Sequence, residues 1–73
     1  MRISYDPSVD ALSIIFTETT VTTEHVSEGI AIDYDANGLV AGIEILDARE
    51  RFGDMSTLRR VTFEGVATMA RAA

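Results

Sequence analysis

Apolar side chains recur at every second position in several stretches of this chain, which is the period of a half-buried β-strand. In residues 2–5, Ile3 and Tyr5 alternate with Arg2 and Ser4. Asp6-Pro7-Ser8 then predicts a reversal, because proline presets φ at the second turn position and Asp6 can accept from backbone N–H groups two residues on. Residues 11–17 place Leu12, Ile14 and Phe16 on one side and Ala11, Ser13 and Ile15 on the other. Apolar content on both sides predicts a central strand. The threonine-rich residues 20–26 supply a third strand, with Val21 or Val26 expected to touch the core.

Asn37-Gly38, between residues 29–35 and 39–46, is the strongest hairpin signal in the sequence. A one-residue slip moves every side chain to the opposite face, so the register can be reasoned out. A two-residue turn sets Ile30, Ile32 and Tyr34 opposite Ile45, Ile43 and Ala41, and Ala31, Asp33 and Asp35 opposite Glu44, Gly42 and Val40. Apolar and acidic faces then separate. A three-residue loop with a bulge places Glu44 beside Ile30 and Ile32, so the two-residue turn or another even-length loop is preferred.

Beyond Leu46 the period changes. Residues 47–52 suit a single helical turn closed by Gly53, after which Asp54 or Ser56 can cap a helix over residues 55–70. Met55, Leu58, Val66, Met69 and Ala70 form its apolar stripe, with Arg60, Glu64 and Arg71 opposite. Gly65 and the β-branched Val61 and Thr62 oppose this assignment. The expected fold is α+β: an antiparallel meander of about five strands (residues 2–5, 11–17, 20–26, 29–35 and 39–46) covered by one C-terminal helix, all within a single domain of 73 residues. Residues 1–50 form its sheet core and 51–73 its helical end.

Composition narrows the chemistry. The chain has no cysteine and one histidine, His25, so disulfides, thiolate metal sites and most nucleophile-base dyads are excluded. Twelve acids against six bases, every base an arginine, give a formal charge of −6. Residues 1–48 hold nine acids and one base (net −8), whereas residues 49–73 hold three acids and five bases (net +2). Nucleic acid and anionic membrane surfaces are poor partners for such a charge distribution. No apolar run approaches the roughly 18–20 residues of a bilayer span, and the N-terminus shows no charged-then-apolar leader ending in small residues, so a cytoplasmic location is expected.

One motif invites a metal. Asp33 through Gly38 and on to Glu44 satisfies the calcium-loop pattern D-x-[DN]-x-[DN]-G-x5-E. The helix that should enter such a loop is missing, since period-two residues precede Asp33, so the pattern reads as the solvent-facing acids of a hairpin. A looser divalent-ion or cationic-ligand site at Asp33, Asp35 and Glu44 stays open, because clustered carboxylates welcome a counter-charge. His25 reads as a surface or packing residue, and Asp6 and Asp10 as turn caps. Arg49, Arg51, Arg59, Arg60 and Arg71 read as a solvated face rather than an anion site. No catalytic residue and no cofactor is expected.

Two segments carry a resemblance. Tyr5-Asp6-Pro7-Ser8-Val9-Asp10-Ala11-Leu12-Ser13-Ile14 is similar to an opening Y-D-x-x-x-D-A-L-x-I, and Asp33 through Ala48 resembles a closing D-x-D-x-x-G-x-x-x-G-I-E-I-L-x-A. Together they resemble the small prokaryotic domain-of-unknown-function family 2283. The resemblance implies an antiparallel sheet of about five strands with a C-terminal helix and no catalytic residues. It also implies an accessory role, in some members that of the antidote in a small toxin-antidote pair.

The expectation for function is a non-enzymatic interaction or dimerisation module. Ala11, Ile15, Val40 and Leu46 place apolar groups on the sheet face opposite the hairpin's core side. That face is expected to meet a second copy, and the acidic body to attract a small basic protein. The alternative is a divalent-cation or small-ligand binder using Asp33, Asp35 and Glu44.

Overall fold

The computed structural model describes residues 1–65. Five strands, β1 (Arg2–Asp6), β2 (Ala11–Ile15), β3 (Thr22–Ser27), β4 (Ile30–Tyr34) and β5 (Val40–Ile45), precede a short helix α1 (Ala48–Phe52) and a 3-10 helix over Met55–Arg59. Every strand pairing is antiparallel, as the α+β reading expects. The strand order is β1-β2-β5-β4-β3, which corrects the sequential meander. β5 takes the place beside β2 because Ile45 and Ile43 can lie opposite Leu12 and Ile14. The threonine-rich β3 has no such apolar row to offer and is left at the edge, exposed along its whole length. Val21 and Val26 are accordingly 39% and 50% exposed, so neither reaches a core.

The hairpin register follows expectation at one end and departs from it at the other. Ile30, Ala31, Ile32 and Asp33 pair with Ile45, Glu44, Ile43 and Gly42. Tyr34, however, pairs with Val40 rather than Ala41, and the Asp35 N–H donates to the Leu39 carbonyl at 2.8 Å, so Asp35 faces Leu39 rather than Val40. The turn is thus a three-residue loop, Ala36-Asn37-Gly38, with Gly38 at φ 80. The Asp35 carboxylate stabilises it by accepting from the N–H groups of Asn37 and Leu39 at 2.8 and 2.9 Å. Ala41 is then the extra residue of a bulge that returns the rest of β5 to the expected register. Its carbonyl accepts from the N–H groups of Phe16 and Thr17 at 2.8 and 3.1 Å, and its methyl group is buried.

The helix expected over residues 55–70 is replaced, as far as residue 65, by the 3-10 helix and by Arg60 in extended backbone (φ −131, ψ 121). β-Branched Val61 and Thr62 and left-handed Gly65 (φ 79) favour that outcome over an α-helix. Val66, Met69, Ala70 and Arg71 of the expected stripe lie outside the described residues. The helical turn anticipated before Gly53 does form, and the Asp54 carboxylate accepts from the Ser56 N–H at 2.7 Å, as a cap should.

Among the described residues the buried apolar side chains are Leu12, Ala31, Ala41 and Ala48. Only Leu12 is large.

Candidate functional site

Because directly opposed residues of an antiparallel pair share a face, the register assigns every strand residue a side. One face carries two rows that run across the sheet. Ile3, Ile14, Ile43 and Ile32 lie in line and end at Glu24, while Tyr5, Leu12, Ile45 and Ile30 lie in line and end at Ser27. Apart from buried Leu12 and exposed Ile3, all these apolar side chains are half-buried.

The other face is polar. Arg2, Ile15, Gly42, Asp33 and Thr23 make one row, and Ser4, Ser13, Glu44, Ala31 and His25 the next. The Thr23 hydroxyl donates to Asp33 at 2.6 Å. Glu44 sits beside Asp33, and the hydrogen bond the pair can form only when one carboxyl is protonated, followed by partial desolvation and the Asp33 charge, holds the Glu44 carboxyl above its ordinary value, with His25 acting in the opposite sense. Two open hollows flank this pair. One, of about 290 Å³, lies where the segment joining β2 to β3 passes Ile15, Asp33 and Gly42. The other, of about 300 Å³, is lined by Thr23, His25, Gly29, Ala31, Glu44 and Leu46.

The three carboxylates of the calcium-like pattern are therefore divided. Asp33 and Glu44 come together, whereas Asp35 is occupied with the amides of its own turn. No group of three or more His, Asp or Glu side chains converges as a metal requires among the described residues. The expected interaction residues are divided as well. Ala11 and Ile15 lie on the polar face, Leu46 borders its second hollow, and Val40, opposite Tyr34 because of the bulge, joins the isoleucine face.

Aspartates and arginines read as caps and as a solvated face turn out to bind the short helix to the sheet. The Tyr5 hydroxyl donates to Asp10 at 2.6 Å, and Asp10 also accepts from the Arg49 N–H at 3.0 Å. The Arg49 guanidinium donates to the Tyr5 oxygen at 3.3 Å. These contacts lower the Asp10 carboxyl, chiefly through Tyr5, and raise the Tyr5 hydroxyl, chiefly through Asp10. Arg51 donates to the carbonyls of Leu46 and Glu28 at 2.8 and 2.6 Å. Asp6 caps its own turn, accepting from the Ser8 N–H at 2.9 Å. The positions of Tyr5 and Asp10 in the opening motif have a structural explanation here, since they anchor residues 48 and 49 some forty places further along the chain.

No helix among the described residues is long and apolar enough to cross a membrane. A family model described as a protein of unknown function (DUF2283) matches residues 2–49. The match opens in β1 and closes at Arg49, the residue whose amide meets Asp10. No curated protein and no solved structure matches the chain.

Proposed function

The chain belongs to the DUF2283 family, whose description assigns no activity, and from that premise we propose that it is a non-enzymatic self-association module that buries its isoleucine face against a second copy. One observation carries this reading: Leu12 is the one large side chain fully buried among the described residues, while the isoleucines of both rows stay partly exposed. Taking such a side chain from half-buried to fully buried contributes on the order of 1 kcal/mol, and the rows hold five of them beside the exposed Ile3.

Charge favours a like copy on this face. Glu24, at the end of one row, is the single ionisable carboxylate along either row, so two acidic chains can meet there without burying opposed charges. The opposite face, with Ala11 and Ile15, carries Asp33 and Glu44 and would have to desolvate both. Attraction for a small basic protein belongs to that polar face, where a cation would relieve the repulsion between the two carboxylates. A cytoplasmic setting suits a cysteine-free chain, and the family resemblance implies a prokaryotic one.

Light scattering coupled to size exclusion tests the reading. The expected mass is at least twice the 7.9 kDa of one chain, and Ile43→Glu, which sets a charge in the middle of a row, is expected to halve the mass while the circular-dichroism signal of the sheet persists. A single-chain mass for the natural sequence at about 0.5 mM, more than a hundredfold above a micromolar dissociation constant, would overturn it.

A further inference from the structure

The sheet has two edges, and they differ in kind. β3 is interrupted by a bulge between His25 and Ser27, a common way of preventing one edge strand from pairing with another chain. β1 pairs with β2 in unbroken register over all five of its residues. It contains neither proline nor glycine, and four of its five residues are exposed. Among the described residues β2 is its single neighbour, so one row of its backbone donors and acceptors faces outward.

The sequence of β1, Arg-Ile-Ser-Tyr-Asp, is complementary to itself. Set antiparallel to a second β1 about a two-fold axis at Ser4, it places Arg2 opposite Asp6, Ile3 opposite Tyr5 and Ser4 opposite Ser4. Residues that meet in this register come from the same face of each sheet, so the two isoleucine faces become continuous. Arg2 is the sole base in residues 1–48, and it stands where this register requires a cation. Its present partner, Glu18 at 3.0 Å, is an exposed pair with both side chains more than 60% accessible, an interaction that costs little to exchange. Asp6 directs its bonds with Ser8 through one carboxylate oxygen.

The geometry points to β1 as a second self-association surface, on which two copies join edge to edge, antiparallel and centred on Ser4, into one ten-stranded sheet. This inference rests on the edge and its charges and is independent of burial of the isoleucine face.

The absence of cysteine makes a clean test available. Opposed Cα atoms across an antiparallel pair lie about 4.5–5.5 Å apart, within reach of a disulfide. Under mild oxidation Ser4→Cys is expected to give a covalent dimer at least ten times faster than Ser27→Cys on the bulged edge. Arg2→Asp should abolish that advantage in the Ser4→Cys chain, and adding Asp6→Arg should restore it, because the exchanged charges are again complementary. Equal rates at the two edges, or no recovery in the exchanged pair, would overturn the inference. Ile43→Glu separates the two surfaces: it lowers the mass if the isoleucine face associates and leaves Ser4→Cys coupling intact.

Discussion

Gly29 and Gly38 share a left-handed backbone, φ 76 and 80, but differ in what surrounds them. At Gly38 a methyl group would meet nothing within 4 Å, whereas at Gly29 it would collide with the Arg51 guanidinium. Gly38→Ala should therefore cost only the backbone term, about 1–2 kcal/mol, and Gly29→Ala should cost more in urea denaturation, because the displaced guanidinium gives up its bonds to the Leu46 and Glu28 carbonyls. Combining Gly29→Ala with Arg51→Ala should cost less than the two changes separately, since the displaced guanidinium is already gone. Protonation acts at the same scale. Glu44, raised in the folded protein, is disfavoured when ionised, so its penalty is present at neutral pH and disappears as pH falls through a folded value above the ordinary 4.5. Asp6, Asp10 and Asp54 are lowered, chiefly by the hydroxyls of Ser8, Tyr5 and Ser56. The stability they contribute is complete above the ordinary 3.8 and is lost as pH falls through their folded values. The melting temperature should rise slightly from neutral to weakly acid pH and then drop. Glu44→Gln should flatten the rise and lift the neutral melting point by roughly 1–3 °C, the scale of a surface charge interaction in a small domain.

At the scale of elements, the bulge at Ala41 holds the sheet in register. With its side chain 2% exposed and its carbonyl shared by two amides at the end of β2, it has no room to grow. Ala41→Val should destabilise the fold by about 1–3 kcal/mol in chemical denaturation, whereas the same change at exposed Ala36, in the loop, should stay within about 0.5 kcal/mol. The bulge also explains which features were readable in the sequence. Alternation along residues 29–35 and 39–46 reveals both strands and most of their register, because each side chain reports its own face. The loop and the bulge each shift the chain by one residue and cancel, so the pattern at Ile43 and Ile45 looks the same with both or with neither. Only Tyr34, Asp35 and Val40, caught between the two shifts, betray them. The union of Asp33 and Glu44 is legible from parity alone, while the diversion of Asp35 depends on the loop. The contact of Asp10 with Arg49 leaves no local trace, and the apolar spacing from Met55 resembles a helix that, as far as residue 65, β-branched residues and glycine prevent.

For the molecule as a whole, the topology separates charge from apolar surface more completely than the linear sequence suggests. The paired acids of β4 and β5 share one face, and Ile14 of β2 gathers with the isoleucines of β4 and β5 on the other. That segregation depends on β2 lying beside β5, a relation between strands distant in the chain that no turn signal announces. The same strand order bears on how the chain reaches this structure. The pairings β1 with β2, β3 with β4 and β4 with β5 close short loops, so they form at small entropic cost and can appear early. The pairing of β2 with β5 alone brings together residues about thirty positions apart, such as Leu12 with Ile45. The folding barrier is expected at that seam, where Ile14 meets Ile43: in stopped-flow measurements, truncating side chains there should slow folding, while truncations at the outer edges of β1 and β3 should hasten unfolding.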